Sequence, residues 1–272
     1  MKTFKNKVVV ITGAGSGIGR ALAQSFAKEG ARLALNDYNS DSLAETAQML
    51  KSSQASIFQS AFDVSDKAAM FDFAEQVIAE FGQVDIMINN AGVALGDYAF
   101  DQIDLDMFER VMDVNFNGVL YGSKAFIPYL LKRQEAALVN VSSIFGLAGI
   151  AMSSAYCSSK FAVHGLTQSL IQEHQKSVLT VHSVHPGGID TNITRNAIDY
   201  KEIHEKFHKE FLKRSPISAA QTIIKGIRKR RTRILIGGEA HQLDVMVRIL
   251  PVLGVKLVNN IIRRKINAIL KK

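Results

Sequence analysis

The chain has 272 residues, 47% of them hydrophobic, and a net charge of +8. That hydrophobic fraction can bury a sizeable core and excludes a disordered chain. The single cysteine, Cys157, excludes an intrachain disulfide, fits a reducing compartment such as the cytoplasm, and reads as a packing residue. Residues 228–272 carry twelve Lys/Arg against Glu239 and Asp244, so the basicity belongs to a tail and does not mark a nucleic-acid-binding fold.

In chain order, Val8-Val9-Val10-Ile11 is too short for the apolar core of a signal peptide. It reads instead as a first strand over 7–12, buried on both faces. No apolar run reaches the roughly 18 residues of a membrane-spanning helix. A glycine-rich turn follows, then a helix over 18–29 stopped by Gly30. Strands are expected over 32–36, 56–62, 84–89, 137–142, 179–185 and 234–236. Helices are expected over 40–52, 67–81, 105–131, 155–176 and 219–230, with a further one ending near Lys213. Strands alternating with helices predict an α/β fold, a doubly wound parallel sheet of the Rossmann type. No repeat or composition break appears before about residue 240, so the expected organisation is one domain over 1–238 and a helical tail over 239–272.

The first turn, Thr12-Gly13-Ala14-Gly15-Ser16-Gly17-Ile18-Gly19, has the spacing T-G-x-x-x-G-x-G. Between a buried strand and a helix, its glycines let the backbone approach a pyrophosphate, and the helix N-terminus supplies free N–H groups. Asp37, eighteen residues past Gly19, ends the second strand, where a carboxylate can accept hydrogen bonds from ribose hydroxyls and repel a 2′-phosphate. With Ser at 16 and Tyr at 38, no basic residue compensates nearby, so the expected cofactor is NAD, with NADP the alternative. Asp63-Val64 and Asn89-Asn90-Ala91-Gly92 end the third and fourth strands, on the side where such sheets bind ligands.

Tyr156 and Lys160 are four residues apart and share one face of a helix. A phenol titrates near 10, and an ammonium at about 4 Å supplies on the order of 4 kcal/mol at an effective dielectric near 20, enough to bring it toward neutrality. His164, His182 and His185 read as structural: the latter two lie three apart on a strand and face opposite sides, and no His/Cys cluster suggests a metal.

The ordered set Thr12–Gly19, Asp63-Val64, Asn89–Gly92, Asn115, Ser142-Ser143, Tyr156 with Lys160, and Pro186-Gly187 followed by Thr191 resembles the short-chain dehydrogenases/reductases from about residue 7 to 237. The resemblance implies a tetrad. Tyr156 is the general acid/base, Lys160 lowers its pKa and holds the nicotinamide ribose, Ser143 binds the substrate oxygen, with Ser142 the lesser candidate, and Asn115 holds a linking water. It also implies cofactor contacts at Thr12, Gly13, Ser16, Gly17, Ile18, Gly19, Asp37, Asp63, Val64, Asn90, Ala91, Gly92, Tyr156, Lys160, Pro186, Gly187, Ile189 and Thr191. The reaction is hydride exchange between NAD(H) and a secondary alcohol or carbonyl, in a homodimer or homotetramer.

The segment at about 188–215 is expected to be a substrate lid. Its Ile193, Ile198, Ile203, Phe207 and Phe211 suggest an apolar, lipid- or steroid-like substrate or simple lid packing. The tail repeats apolar residues at helical spacing (Leu243, Val247, Leu250, Leu253, Leu257, Ile261, Ile262, Ile266, Ile269) with Lys/Arg on other faces. It suits packing on the protein's own domain or a neighbouring subunit, or peripheral contact with an anionic membrane. A protein of another class, a membrane-surface or partner-binding scaffold, is the alternative reading.

Overall fold

The computed structural model describes residues 1–53, 55–96, 98–193, 197–199 and 211–270, with the C-terminal helix's side chains described as far as Lys265. Strands β1 (Val8–Thr12), β2 (Arg32–Asp37), β3 (Ile57–Ala61), β4 (Ile86–Asn89), β5 (Ala136–Val141), β6 (Leu179–Pro186) and β7 (Arg233–Ile236) form one sheet. Its order is β3-β2-β1-β4-β5-β6-β7, with every pair parallel. The order reverses between β1 and β4, so a crevice opens beyond their C-terminal ends.

Two helical layers cover the sheet. Val9 and Ile11 of β1 pack into one core layer with α1 (Gly17–Lys28), α2 (Ser40–Leu50) and α7 (Pro216–Arg228). Val8 and Val10 pack into the other with α3 (Lys67–Phe81) and α5 (Gly118–Leu130). This strict alternation is the period-2 geometry of a strand buried on both faces. Phe26 anchors the first layer, and Phe73 and Phe126, ring centroids 6.0 Å apart, anchor the second. Local chemistry sets the ends: Asn39 and Asp66 cap α2 and α3 through their side chains, and Gly82 ends α3 in a left-handed conformation (φ 71°).

The single helix expected over 105–131 is three pieces in succession: α4 (Leu105–Met112), a π turn (Asp113–Asn117) and α5. Side-chain periodicity does not reveal an inserted π turn, because the apolar face resumes on either side of it. α6 (Ser154–Glu173) carries Tyr156 and Lys160. Most of the helix expected to end near Lys213, with Ile203 and Phe207, lies outside the described residues.

The tail forms α8 (Gly238–Ile249) and α9 (Leu253–Leu270). Leu243, Val247, Val255, Val258 and Ile262 pack with Ile144, Phe145, Ala148, Ile150 and Cys157 of the main body. Asn259 pins the contact: its Nδ2 donates to the Gly149 carbonyl (2.9 Å) and its Oδ1 accepts from the Ala151 N–H (2.8 Å). One face of the tail therefore packs on the protein's own domain, and Cys157 has the packing role expected of it.

Candidate active site

The turn after β1 is built for close backbone approach. Gly13 and Gly17 have positive φ (64° and 50°). A Cβ on Gly19 would stand 2.0 Å from the Gly13 carbonyl, so α1 must begin with glycine to lie this close to the strand end. Thr12 Oγ1 accepts from the Asn90 and Ala91 N–H groups (3.0 and 3.1 Å), tying the turn to the end of β4. The first intrahelical bond of α1 runs from Arg20 N–H to the Ser16 carbonyl (3.0 Å). The amides of Gly17, Ile18 and Gly19 thus precede the helical ladder and form an anion cradle with the helix dipole. Thr191 reaches the same place, since a Cβ on Gly17 would lie 3.0 Å from its Cγ2.

Asp37 is buried at the end of β2. Its Oδ2 accepts from the Gly15 N–H (2.8 Å) and its Oδ1 from the Asn39 N–H (3.0 Å). A cavity of about 200 Å³ opens beside it, lined by Gly15, Ser16, Arg20, Tyr38, Asn39 and Glu45 among others. The expectation that no basic residue stands near Asp37 is corrected here: Arg20 lines this cavity. Its guanidinium bonds to the Gly15 carbonyl (Nε, 3.0 Å) and to the Glu45 carboxylate (Nη2, 2.6 Å). The pairing joins α1 to α2 across 25 residues, which is why neighbours of Asp37 in the sequence do not disclose it. Arg20 is matched by Glu45, so Asp37 leaves the cavity with an excess negative charge.

Asp63 accepts from Arg110 and from the Ser65 N–H (2.9 Å) and hydroxyl (2.7 Å). Burial pushes its carboxyl up, but these bonds outweigh it and hold the pKa below the usual value. Val64 packs against Gly118, at the start of α5. Pro186 ends β6, and Gly187 N–H continues the sheet by donating to the Ile236 carbonyl (2.9 Å). The Ile189 side chain is buried in the layer with α1 and α7.

The four tetrad residues converge beyond β4 and β5. Asn115 sits in the π turn, fully buried. It accepts from the Val93 N–H (2.8 Å) and donates to the Val93 carbonyl (2.9 Å) and to Ser159 Oγ (3.0 Å). Ser159 in turn donates to the Tyr156 carbonyl (2.8 Å), so the π turn is fastened to the first turn of α6. Gly92 lies between two of the four: a Cβ there would be 3.0 Å from Asn115 Oδ1 and 3.3 Å from Lys160 Nζ. Lys160 is buried and donates to the Val141 carbonyl (3.2 Å). Ser143 follows β5 and makes a side-chain hydrogen bond with Tyr156. Ser142 points elsewhere, donating to the Lys160 carbonyl (2.8 Å), and so has a structural place.

From their spacing, Lys160 is expected to lower the Tyr156 pKa. In the structure the Lys160 ammonium lies 5.6 Å from the centre of the Tyr156 ring, and burial dominates both groups. The phenol is pushed up to about 12, with the Ser143 bond opposing and Cys157 adding to the rise. Burial pulls Lys160 down to about 8. Burial thus favours the neutral form of both side chains, as a low-dielectric setting dictates.

His185 Nδ1 is 3.1 Å from the Ser143 carbonyl and its Nε2 is 2.8 Å from Ser183 Oγ. His182 Nδ1, on the opposite face of β6, is 2.6 Å from the Arg231 carbonyl. Both have structural bonds, but His185 also braces the loop that carries Ser143, which its strand position alone did not show. A separate cleft of about 460 Å³ behind α6, lined by His164, Gln168, Thr232, Arg233 and Arg248 among others, contains none of Asn115, Ser143, Tyr156 and Lys160.

The family model "short chain dehydrogenase" matches residues 7–202. The chain belongs to the short-chain dehydrogenase family. SadH of Mycobacterium tuberculosis, whose name places it among oxidoreductases, is 40% identical over 257 residues, covering 92% of this chain and 93% of its own. Dehydrogenase/reductase SDR family member 7B of Bos taurus is 34% identical, covering 90% of this chain and 78% of its own. A short-chain dehydrogenase/reductase from Burkholderia phymatum, solved in complex with NAD, superposes with a TM-score of 0.84 at 28% identity, covering 91% of this chain and 95% of that one. This chain is thus an oxidoreductase of the short-chain dehydrogenase family, with a Rossmann-type sheet.

Proposed function

We propose that this dehydrogenase interconverts a secondary alcohol and its carbonyl on an apolar substrate, with NAD(H) as the redox partner and Tyr156 as the group that moves the proton. The observation that carries the reading is the convergence of Asn115, Ser143, Tyr156 and Lys160 at the end of the crevice that begins at the glycine cradle. The turn fits a dinucleotide because Gly13 and Gly19, which have no room for a Cβ, let it fold tightly against the end of β4 while the amides of Gly17, Ile18 and Gly19 stay ahead of the helical ladder. Thr12, Gly13, Ser16, Gly17, Ile18 and Gly19 would hold the pyrophosphate, and Asp37 the adenosine ribose. Asn90, Ala91, Gly92, Pro186, Gly187, Ile189 and Thr191 would line the nicotinamide half. Asp63 and Val64 would border the adenine, Asp63 through its edge beyond the Arg110 pair.

When bound, NAD(H) supplies the hydride acceptor or donor. In reduction, Ser143 and the protonated Tyr156 donate hydrogen bonds to the carbonyl oxygen, and Tyr156 yields its proton as negative charge builds there. In oxidation the phenolate form of Tyr156 takes the hydroxyl proton and returns to the phenol. Lys160 stabilises that phenolate from one helical turn away, and Asn115 fixes the backbone of Val93 and, through Ser159, the first turn of α6. The excess negative charge beside Asp37 favours NAD over NADP.

An apolar substrate is favoured by the rim. Leu95 pairs with Ile198, and the run from Ile144 to Met152 between Ser143 and Tyr156 is largely apolar. The test is the absorbance of reduced nicotinamide with secondary alcohols and ketones graded from short to steroid-sized. NAD-linked turnover that strengthens with apolar bulk is expected. Turnover confined to small polar alcohols overturns the substrate class.

A further inference from the structure

α9 is apolar on two faces, and only one is covered. Val255, Val258 and Ile262 pack on the body. The outer face continues from α8 through the Pro251 turn as Val245, Ile249, Val252, Leu253, Leu257 and Ile261, with exposures from 43% (Leu257) to 71% (Ile249). Residues 253, 257 and 261 fall at i, i+4 and i+8, so they make one ridge along the helix. Single exposed apolar side chains need no explanation, but a continuous ridge does.

The charge pattern selects the occupant. Residues 245–272 contain seven Lys/Arg and no Asp or Glu. Lys256, Arg263, Arg264 and Lys265 are all exposed, while Arg248, also exposed, is paired with Asp244 (2.9 Å). A second copy docked by this face across a two-fold axis would set the cations of α9 against themselves, with no acid in residues 253–272 to relieve them. An anionic lipid surface supplies the opposite sign along the whole ridge. Among the described residues no helix is long and apolar enough to cross a membrane, so the geometry is that of a helix lying in the interface plane.

We propose that the outer faces of α8 and α9 dock on an anionic phospholipid bilayer. The same helix holds the active-site rim from its inner side. Asn259 bonds Gly149 and Ala151, in the loop between Ser143 and Tyr156, and Lys265 Nζ lies 5.2 Å from the Phe211 ring, near the end of the segment that precedes α7. Docking therefore brings the substrate loop to the lipid boundary, where an apolar alcohol or ketone is dissolved. This last consequence rests on the apolar-substrate reading; the docking does not.

Co-sedimentation with vesicles tests the docking without any turnover assay. The wild-type chain is expected to pellet with mixed phosphatidylcholine–phosphatidylglycerol vesicles, to stay in solution with phosphatidylcholine alone, and to be released by added salt. The double variant Leu257→Asp/Ile261→Asp and the charge variant Arg263→Gln/Arg264→Gln are each expected to lose at least about tenfold in apparent affinity. All four positions face solvent, so an unchanged thermal midpoint and circular dichroism spectrum accompany the loss. The proposal is overturned if the wild type ignores anionic vesicles, or if the variants pellet as it does. It is also overturned if light scattering shows Leu257→Asp/Ile261→Asp splitting an oligomer, which would assign the ridge to a second copy.

Discussion

At the scale of single residues, the proposed preference for NAD rests on a pair and not on Asp37 alone. Arg20 is the only cation lining the cavity beside Asp37 among the described residues, and Glu45 holds it. Glu45→Gln would free that guanidinium for a 2′-phosphate. The ratio of NADP to NAD catalytic efficiency is expected to rise at least about tenfold, equivalent to roughly 1.4 kcal/mol. Steady-state kinetics with both cofactors checks this, and an unchanged ratio removes Arg20 from the account. Tyr156 makes a second prediction. With the phenol at about 12, a wild-type minus Tyr156→Phe ultraviolet difference titration of the cofactor-free chain should show no tyrosinate at this position through about pH 10. Ionisation near neutrality would mean that Lys160 outweighs burial after all. The sequence pointed to Tyr156 and Lys160 through their local spacing, and to Ser143 and Asn115 only through the resemblance to the family's ordered motifs. It did not disclose Arg20–Glu45 or the bond from His185 to Ser143, because these join residues brought together only by the fold.

At the scale of elements, glycine-rich turns and alternating apolar strands were legible because they follow from local backbone limits. The π turn was not, since an extra residue in a helical turn changes no side-chain type. Its role is to bring Asn115 against Val93 and Ser159 while α5 stays packed on the sheet. That packing runs through Phe126, fully buried against Phe73. Phe126→Ala is expected to cost about 3–5 kcal/mol in urea unfolding, as a large cavity in a core layer should. A cost below about 1 kcal/mol would mean that the α3–α5 layer can collapse around the gap. The tail shows a further limit. Its periodicity predicted helices, but with both faces of α9 apolar, sequence alone left open which face meets the body. Asn259 decides it, through two bonds to a loop more than 100 residues earlier.

At the scale of the whole molecule, stability should depend on pH through buried imidazoles. Burial lowers His182 from 6.5 to about 4 and His185 to about 3. Below about 6.5 the unfolded chain binds protons at these sites that the folded chain refuses. Stability is therefore full above that pH and falls as pH is lowered toward 4 and then 3. Urea midpoints should be flat just above neutrality and decline from about pH 6.5 downward, and a smaller decline is expected in His182→Gln. A profile that is flat to pH 4 would contradict the neutral, buried state of these rings. The seven-stranded sheet itself would position the proposed chemistry, because the β1/β4 reversal lies beside the glycine-rich turn and the four residues Asn115, Ser143, Tyr156 and Lys160. The most direct test of that arrangement compares the wild type with Tyr156→Phe, following reduced-nicotinamide absorbance with NAD and NADP and measuring NAD binding separately. NAD-linked turnover is expected in the wild type, with a loss of roughly 10²–10⁴-fold in the variant and NAD binding retained within about tenfold. Wild-type turnover rates in Tyr156→Phe would contradict this reading.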